Sequence, residues 1–259
     1  MTIAIVTGTR PEIIKMFPIM KQFDSRSIDY KFVHTGQHHD YQLFLKFVEE
    51  FGIRKPDILI SLDTNEPVDQ VSSILKQMGA ILRSLQPSVV LIEGDTNRVL
   101  GTALAALKSR FPIAHVESGL CSNDWKTVEE HNRRIVDHIS DILFSPTETS
   151  TKNLRNEHVY GQVHTVGNTV IDAVNLRLGD ENMTDIDHNY DDDILRKTEF
   201  ASRAIDADTP KDFILVTMHR SENVDDINNL KQVLMALSDS KLTCVFPMHP
   251  HTLKKILEY

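Results

Sequence analysis

Short runs of apolar, often β-branched residues alternate with longer amphipathic stretches along this chain. Strands are predicted at Thr2–Thr7, Tyr30–Thr35, Ile58–Leu62, Ser88–Ile92, Ile113–Val116, Asp141–Phe144, Val163–Val166, Phe213–Thr217 and Thr243–Phe246. Several are apolar at nearly every position, the pattern of parallel strands covered on both faces. Helical periodicity marks Pro11–Phe23, Pro67–Leu85, Asn97–Lys108, Val128–Ser140 and Ile227–Leu237, with some helix over Ile194–Ala204 and a final turn from Thr252. Such β-α-β-α alternation predicts a doubly wound parallel sheet of the Rossmann-like α/β class.

Apolar density falls after Gly179, and a fresh strand starts at Phe213. The expected organisation is a Rossmann-like domain over 1–179, an acidic linker over 180–210, and a second α/β unit over 211–259. That last unit holds only two strands, one helix and a helical turn before the sequence stops, so an incomplete second domain is expected. The net charge of −9 argues against general binding to nucleic acid or an anionic membrane. Seven of the acids fall in Asp180–Asp193 without a Lys or Arg, the composition of a solvated loop. Cys121 and Cys244 form no CxxC pair and fit a reducing cytoplasm. No apolar run reaches the roughly 20 residues of a membrane helix, and no signal peptide is visible.

Open α/β sheets bind ligands beyond the carboxyl ends of their strands. Those positions read Gly8-Thr9-Arg10-Pro11-Glu12, Gly36-Gln37-His38-His39-Asp40, Glu93-Gly94-Asp95-Thr96, Glu117-Ser118-Gly119, His219-Arg220 and His249-Pro250-His251. Together they form a cluster able to hold an anion and move protons. Each has a plainer alternative. Arg10 can be a solvated loop residue, although a helix N-terminus beside it makes an anion cradle. Lys15 can pair with Glu12, and Asp95 can cap the following helix. Glu129–Arg133 and Glu130–Arg134 have the spacing of surface salt bridges. Neither His38-His39 nor His249-Pro250-His251 has helical zinc spacing, so no metal is expected. Neither a GxGxxG nor a GxxxxGK[ST] motif is present, nor a Gly-x-Ser-x-Gly elbow.

Nine segments nevertheless come in one order: GTRPEIIKM, TGQHHD, EGDTN, HVESGL, EEHNR, FSPTETS, VGNTVIDA, MHRSEN and PMHP. In this order and spacing the chain resembles the non-hydrolysing UDP-N-acetylglucosamine 2-epimerases over nearly its whole length. The resemblance implies a GT-B-like fold and reversible conversion of UDP-GlcNAc to UDP-ManNAc by elimination and re-addition of UDP. It implies no cofactor, a place in cell-surface polysaccharide biosynthesis, and a homodimer or association with a completing chain. By motif, Asp95, Glu117 and Glu129 would be the acid/base carboxylates, with His219 contacting the substrate. Arg10, Lys15 and Arg220 would bind it, and Arg133 would hold one carboxylate in place. The cleft is expected to be cationic enough for a diphosphate.

This chain departs from the family pattern at Cys121, where Arg is usual, and at Val128, where Pro is usual. The family's Ser-Gly-Gly segment, and the acidic and Arg-Pro-Glu segments after it, do not occur in the 259 residues. Little or no turnover by the chain alone is therefore expected. An inactive remnant, a subunit needing a second chain, a hydrolysing epimerase and a GT-B glycosyltransferase remain alternatives.

Overall fold

The computed structural model describes residues 2–37, 44, 48, 52–62, 64, 66–178, 213–218, 221–248 and 250–258. Two compact units divide the chain, Met1–Glu181 and Asn182–Tyr259. In the first, seven strands form one parallel sheet: β1 Ile3–Thr7, β2 Tyr30–Gln37, β3 Ile58–Leu62, β4 Val89–Glu93, β5 Ile113–Val116, β6 Ile142–Ser145 and β7 Gln162–Thr165. Their order is β3-β2-β1-β4-β5-β6-β7, so the winding reverses between β1 and β4. The helices of this unit are α1 Arg10–Ser25, α2 Pro67–Leu85, α3 Asn97–Ser109, α4 Val128–Ile139, α5 Glu148–Asn156 and α6 Thr169–Leu178.

Successive residues of the central strands enter opposite cores. Ala4, Val6, Val90 and Ile92 join Ile74, Met78 and Leu82 of α2 and Val99 and Ala103 of α3. Ile5 and Leu91 face the other way, onto Ile13, Met16, Phe17 and Met20 of α1. With both faces covered, β4 and β5 are buried and mostly apolar, with Glu93 and His115 the exceptions. The edge strands differ. β3 alternates buried and exposed residues, and β7 is mostly exposed, since each lacks cover on one side.

Helix ends follow local chemistry. Thr96 caps α3 by accepting from the Val99 amide at 3.3 Å, and Thr147 caps α5 through Ser150 at 3.0 Å. Asp95 is therefore not the α3 cap, because the hydroxyl one residue later takes that place. Pro11 sits one residue inside α1, after Arg10, where its missing N–H costs nothing.

The second unit contains a parallel pair, β8 Phe213–Leu215 and β9 Thr243–Val245, with α7 Ser221–Val224, α8 Ile227–Ser238 and α9 Pro250–Leu257. Met218, Val224 and Leu230 form its small core. The short α7 has too few turns to show a period and was not expected. The acidic run, the Ile194–Ala204 helix and the linker expected over 180–210 lie outside the described residues.

Candidate active site

The carboxyl ends of β1, β4 and β5, at the point where the winding reverses, supply most of one cavity of about 480 Å3. Glu12, Glu93, Asp95 and Glu117 contribute four acids to its lining, and Lys15 and Arg133 two cations. Leu120, Cys121 and Ser122 also line it.

Glu12 sits at the third position of α1 and folds back over the β1–α1 turn, as the acid of a capping box does. Its carboxylate accepts from the Gly8 amide at 2.5 Å and from the hydroxyls of Thr9 and Thr96, each at 3.0 Å. Burial pushes its pKa up against the pull of these donors. One turn on, Lys15 ignores Glu12. Its ammonium lies 3.0 Å from Glu93 and also contacts Glu117. Burial works against that charge, but Glu93 and Glu117 outweigh it and raise the Lys15 pKa.

Glu93 ends β4 and is 1% exposed. Burial, reinforced by its hydrogen bond to Glu117, pushes its pKa up to about 9 despite Lys15. Glu117 follows β5 in a left-handed conformation, φ +63°. For a residue with a Cβ this costs about 1–3 kcal/mol, a kind of strain that clusters at functional sites. Burial would raise its pKa too, but hydrogen bonds from Glu93 and Lys15 and the charges of Lys15 and Arg133 hold it below the usual range. The two glutamates therefore sit on opposite sides of neutrality.

Arg133 is 5% exposed and joins two strand ends. One guanidinium nitrogen lies 2.6 Å from the Asp95 carboxylate, and another donates to the Glu117 backbone carbonyl. The neighbouring Asn132 donates to the Asp95 carbonyl at 2.9 Å. Behind them, fully buried His115 directs Nε2 to the Gly94 carbonyl at 2.8 Å and Nδ1 to Asp137 at 2.7 Å. The second Asp137 oxygen accepts from the Gly119 amide at 3.0 Å. Gly94 at φ +89° and Gly119 at φ +72° both need glycine's freedom, and a Cβ on Gly119 would fall 2.4 Å from the Ser150 carbonyl.

The helix α4 spacing predicts two pairs, and of these Glu130–Arg134 forms while Glu129–Arg133 does not. Arg133 turns inward to Asp95, while Glu129 is exposed and lies outside the cavity lining. Glu130 is buried. It accepts from Arg134 at 2.7 Å and from the amide of Ser122 at 2.7 Å, fastening the loop after Gly119. Arg134 also contacts Glu157 and lies 4.4 Å from the Trp125 ring centre. Cys121 is a neutral thiol, pushed up to about 12 by burial and by Glu157.

Of the residues expected at the site, Lys15, Asp95, Glu117 and Arg133 come together. Arg10 is exposed on the first residue of α1 and is not part of the lining. His219 and Arg220 lie outside the described residues, as do the side chains of His249 and His251. This cavity has twice as many acids as cations. Glu93 and Glu12 were missed as site residues. The signal for Glu93 was available: an acid directly continuing the apolar run VVLI. His115 gave a similar signal inside IAHV. Among the described residues, no group of three or more His, Cys, Asp or Glu could hold a metal ion, and no helix is long and apolar enough to cross a membrane.

A family model described as UDP-N-acetylglucosamine 2-epimerase matches residues 21–259. The chain belongs to this family. A UDP-N-acetylglucosamine 2-epimerase of Methanococcus maripaludis is 34% identical over 264 residues, covering 99% of this chain and 68% of the relative. A UDP-2,3-diacetamido-2,3-dideoxy-D-glucuronate 2-epimerase of Pseudomonas aeruginosa is 33% identical, covering 97% of this chain and 68% of the relative. The crystal structure of the Neisseria meningitidis UDP-GlcNAc 2-epimerase bound to UDP-GlcNAc superposes with a TM-score of 0.83 at 30% identity, over 100% of this chain and 69% of that one. These matches bear out the GT-B-like α/β class for the UDP-N-acetylglucosamine 2-epimerase fold.

Proposed function

We propose that this epimerase interconverts UDP-GlcNAc and UDP-ManNAc at C2 by elimination and re-addition of UDP. The observation that carries the reading is the pair Asp95 and Glu117 on one cavity wall, Asp95 paired with Arg133 and Glu117 with Lys15. The C2 hydrogen of the sugar has no carbonyl beside it, so its loss must accompany departure of the diphosphate from C1. That chemistry needs carboxylates at the ring to take and return a proton. Glu117, held below the usual carboxylate range, has the charge state for a base, and Glu93 has that of an acid.

Both cations of the cavity, Lys15 and Arg133, are taken up by carboxylates, so we assign this cavity to the uncharged sugar ring. Arg10 and the N-terminus of α1, beside the cavity residues Thr9 and Pro11, are our proposal for part of the diphosphate contact. The acids we place at the ring are Glu93, Asp95 and Glu117. Glu129 stands outside this group, and the proposal draws on neither His219 nor Arg220. The two free cysteines support a reducing, cytoplasmic setting.

Incubation with UDP-GlcNAc in D2O tests the reading. Recovered UDP-sugar carrying deuterium at C2, with UDP-ManNAc formed slowly, is the expected result, and Asp95→Asn or Glu117→Gln should abolish both. Release of free ManNAc without deuterated UDP-sugar would point to hydrolysis and refute it. Trp125, the one tryptophan of the chain, lies in the loop following the cavity residues Leu120–Ser122 and gives a separate fluorescence readout of binding.

A further inference from the structure

The trio Glu93–Lys15–Glu117 contains two buried carboxyls and one ammonium, and the surrounding groups show where the spare proton resides. From α1 come Lys15 and Glu12, and Glu12 is occupied by Gly8, Thr9 and Thr96. From β5 come Glu117 and His115, and the His115 ring is committed to Gly94 and Asp137. From α4 comes Arg133, whose hydrogen bonds go to Asp95 and to the backbone of Glu117. Lys15 is thus the cation that contacts Glu93, and it is shared with Glu117. Two ionised carboxylates would leave one buried negative charge without a partner, which favours retention of one proton by the pair. Glu93 is the deeper of the two, whereas Glu117 also feels the Arg133 guanidinium.

We propose that Glu93 is a positioning residue of the epimerase site, a neutral carboxylic acid that donates its proton in a hydrogen bond to the Glu117 carboxylate and keeps Glu117 an ionised base. This rests on the function proposed above. At rest the trio is electrically neutral. When Glu117 takes the C2 proton the trio becomes +1, matching the negative charge that leaves with the diphosphate. The same proton returns to C2 on re-addition, and Glu93's own proton is not consumed. Its raised pKa, caused by burial, agrees in direction.

Two measurements test the proposal. In protein labelled with 13C at glutamate carboxyls, one resonance should titrate near pH 9 and vanish in Glu93→Gln. If every glutamate has finished titrating below pH 7, the proposal falls. The rate of deuterium exchange should decline on the alkaline side as Glu93 ionises. Glu93→Gln, still a neutral donor, should remove that decline. Glu93→Leu, which cannot donate, should lose exchange on the order of tenfold or more at every pH. Identical pH profiles for the two variants, both folded by Trp125 emission, would overturn the positioning role. A high-pH glutamate without any exchange would sink the epimerase reading and leave the protonation state of Glu93 standing.

Discussion

Asp137 offers the sharpest test of how the two carboxylate loops are held. It is fully buried, accepts from His115 Nδ1 at 2.7 Å and from the Gly119 amide at 3.0 Å. Asp137→Ala removes both acceptors and leaves two donors unsatisfied in a site that water does not reach. Each orphan costs about 1–3 kcal/mol, so the loss should be about 2–6 kcal/mol. At an m-value of about 2 kcal/mol/M, the urea midpoint should fall by roughly 1–3 M. Asp137→Asn is a different case. With its amide turned, the side-chain oxygen accepts from Gly119 and the NH2 donates to His115 Nδ1, while Nε2–H still reaches Gly94. Every hydrogen bond survives in a neutral pair, so the cost should stay below about 1 kcal/mol. Urea unfolding followed by Trp125 emission reports this unit selectively, because the chain has one tryptophan. A loss under about 1 kcal/mol for Asp137→Ala would refute the clamp. Equal losses for Asn and Ala would show that the buried charge, not the hydrogen-bond count, is what matters.

Two further outcomes are expected. Gly119→Ala combines a left-handed backbone with a Cβ 2.4 Å from the Ser150 carbonyl and 2.7 Å from Leu154; it should destabilise by about 2–4 kcal/mol, and an unchanged melting temperature would contradict the packing. His34 has its pKa lowered to about 3 by burial, helped by the Arg98 charge. The unfolded chain then binds more protons between about pH 6.5 and 3, so His34 lowers stability as pH falls through that window and has no effect above it. His34→Gln should flatten the acid side of a pH series of urea midpoints, and an unaltered slope would count against it.

The sheet was legible because central strands of a doubly wound fold are buried on both faces and read as unbroken apolar runs. Helix α2 was placed at Pro67–Leu85 from its period and its opening proline. Strand-end positions led to Asp95 and Glu117 because topology brings strand ends together whatever their partners, and the motif resemblance added Lys15 and Arg133. The partners themselves were not legible. Spacing on α4 pointed to Glu129–Arg133 since residues four apart are neighbours on any helix. Yet the buried face of α4 carries Glu130, Asn132, Arg133 and Asp137, polar groups that a hydrophobic period cannot assign inward or outward. Lys15 likewise reached across the sheet to β4 and β5 instead of down its own helix, a choice made by tertiary contacts alone.

Arg133 has a mechanical meaning as well as an electrostatic one. Because one side chain of α4 grips the Asp95 carboxylate and the Glu117 backbone together, the β4 and β5 loops are braced against the same rigid strut. A shift of α4 would carry both carboxylates with it and preserve their spacing. The opposite wall, α1 with Glu12 and Lys15, is joined to them through side chains only, at Thr96, Glu93 and Glu117. The cavity thus has one jaw braced to a single helix and a second held by side-chain contacts alone.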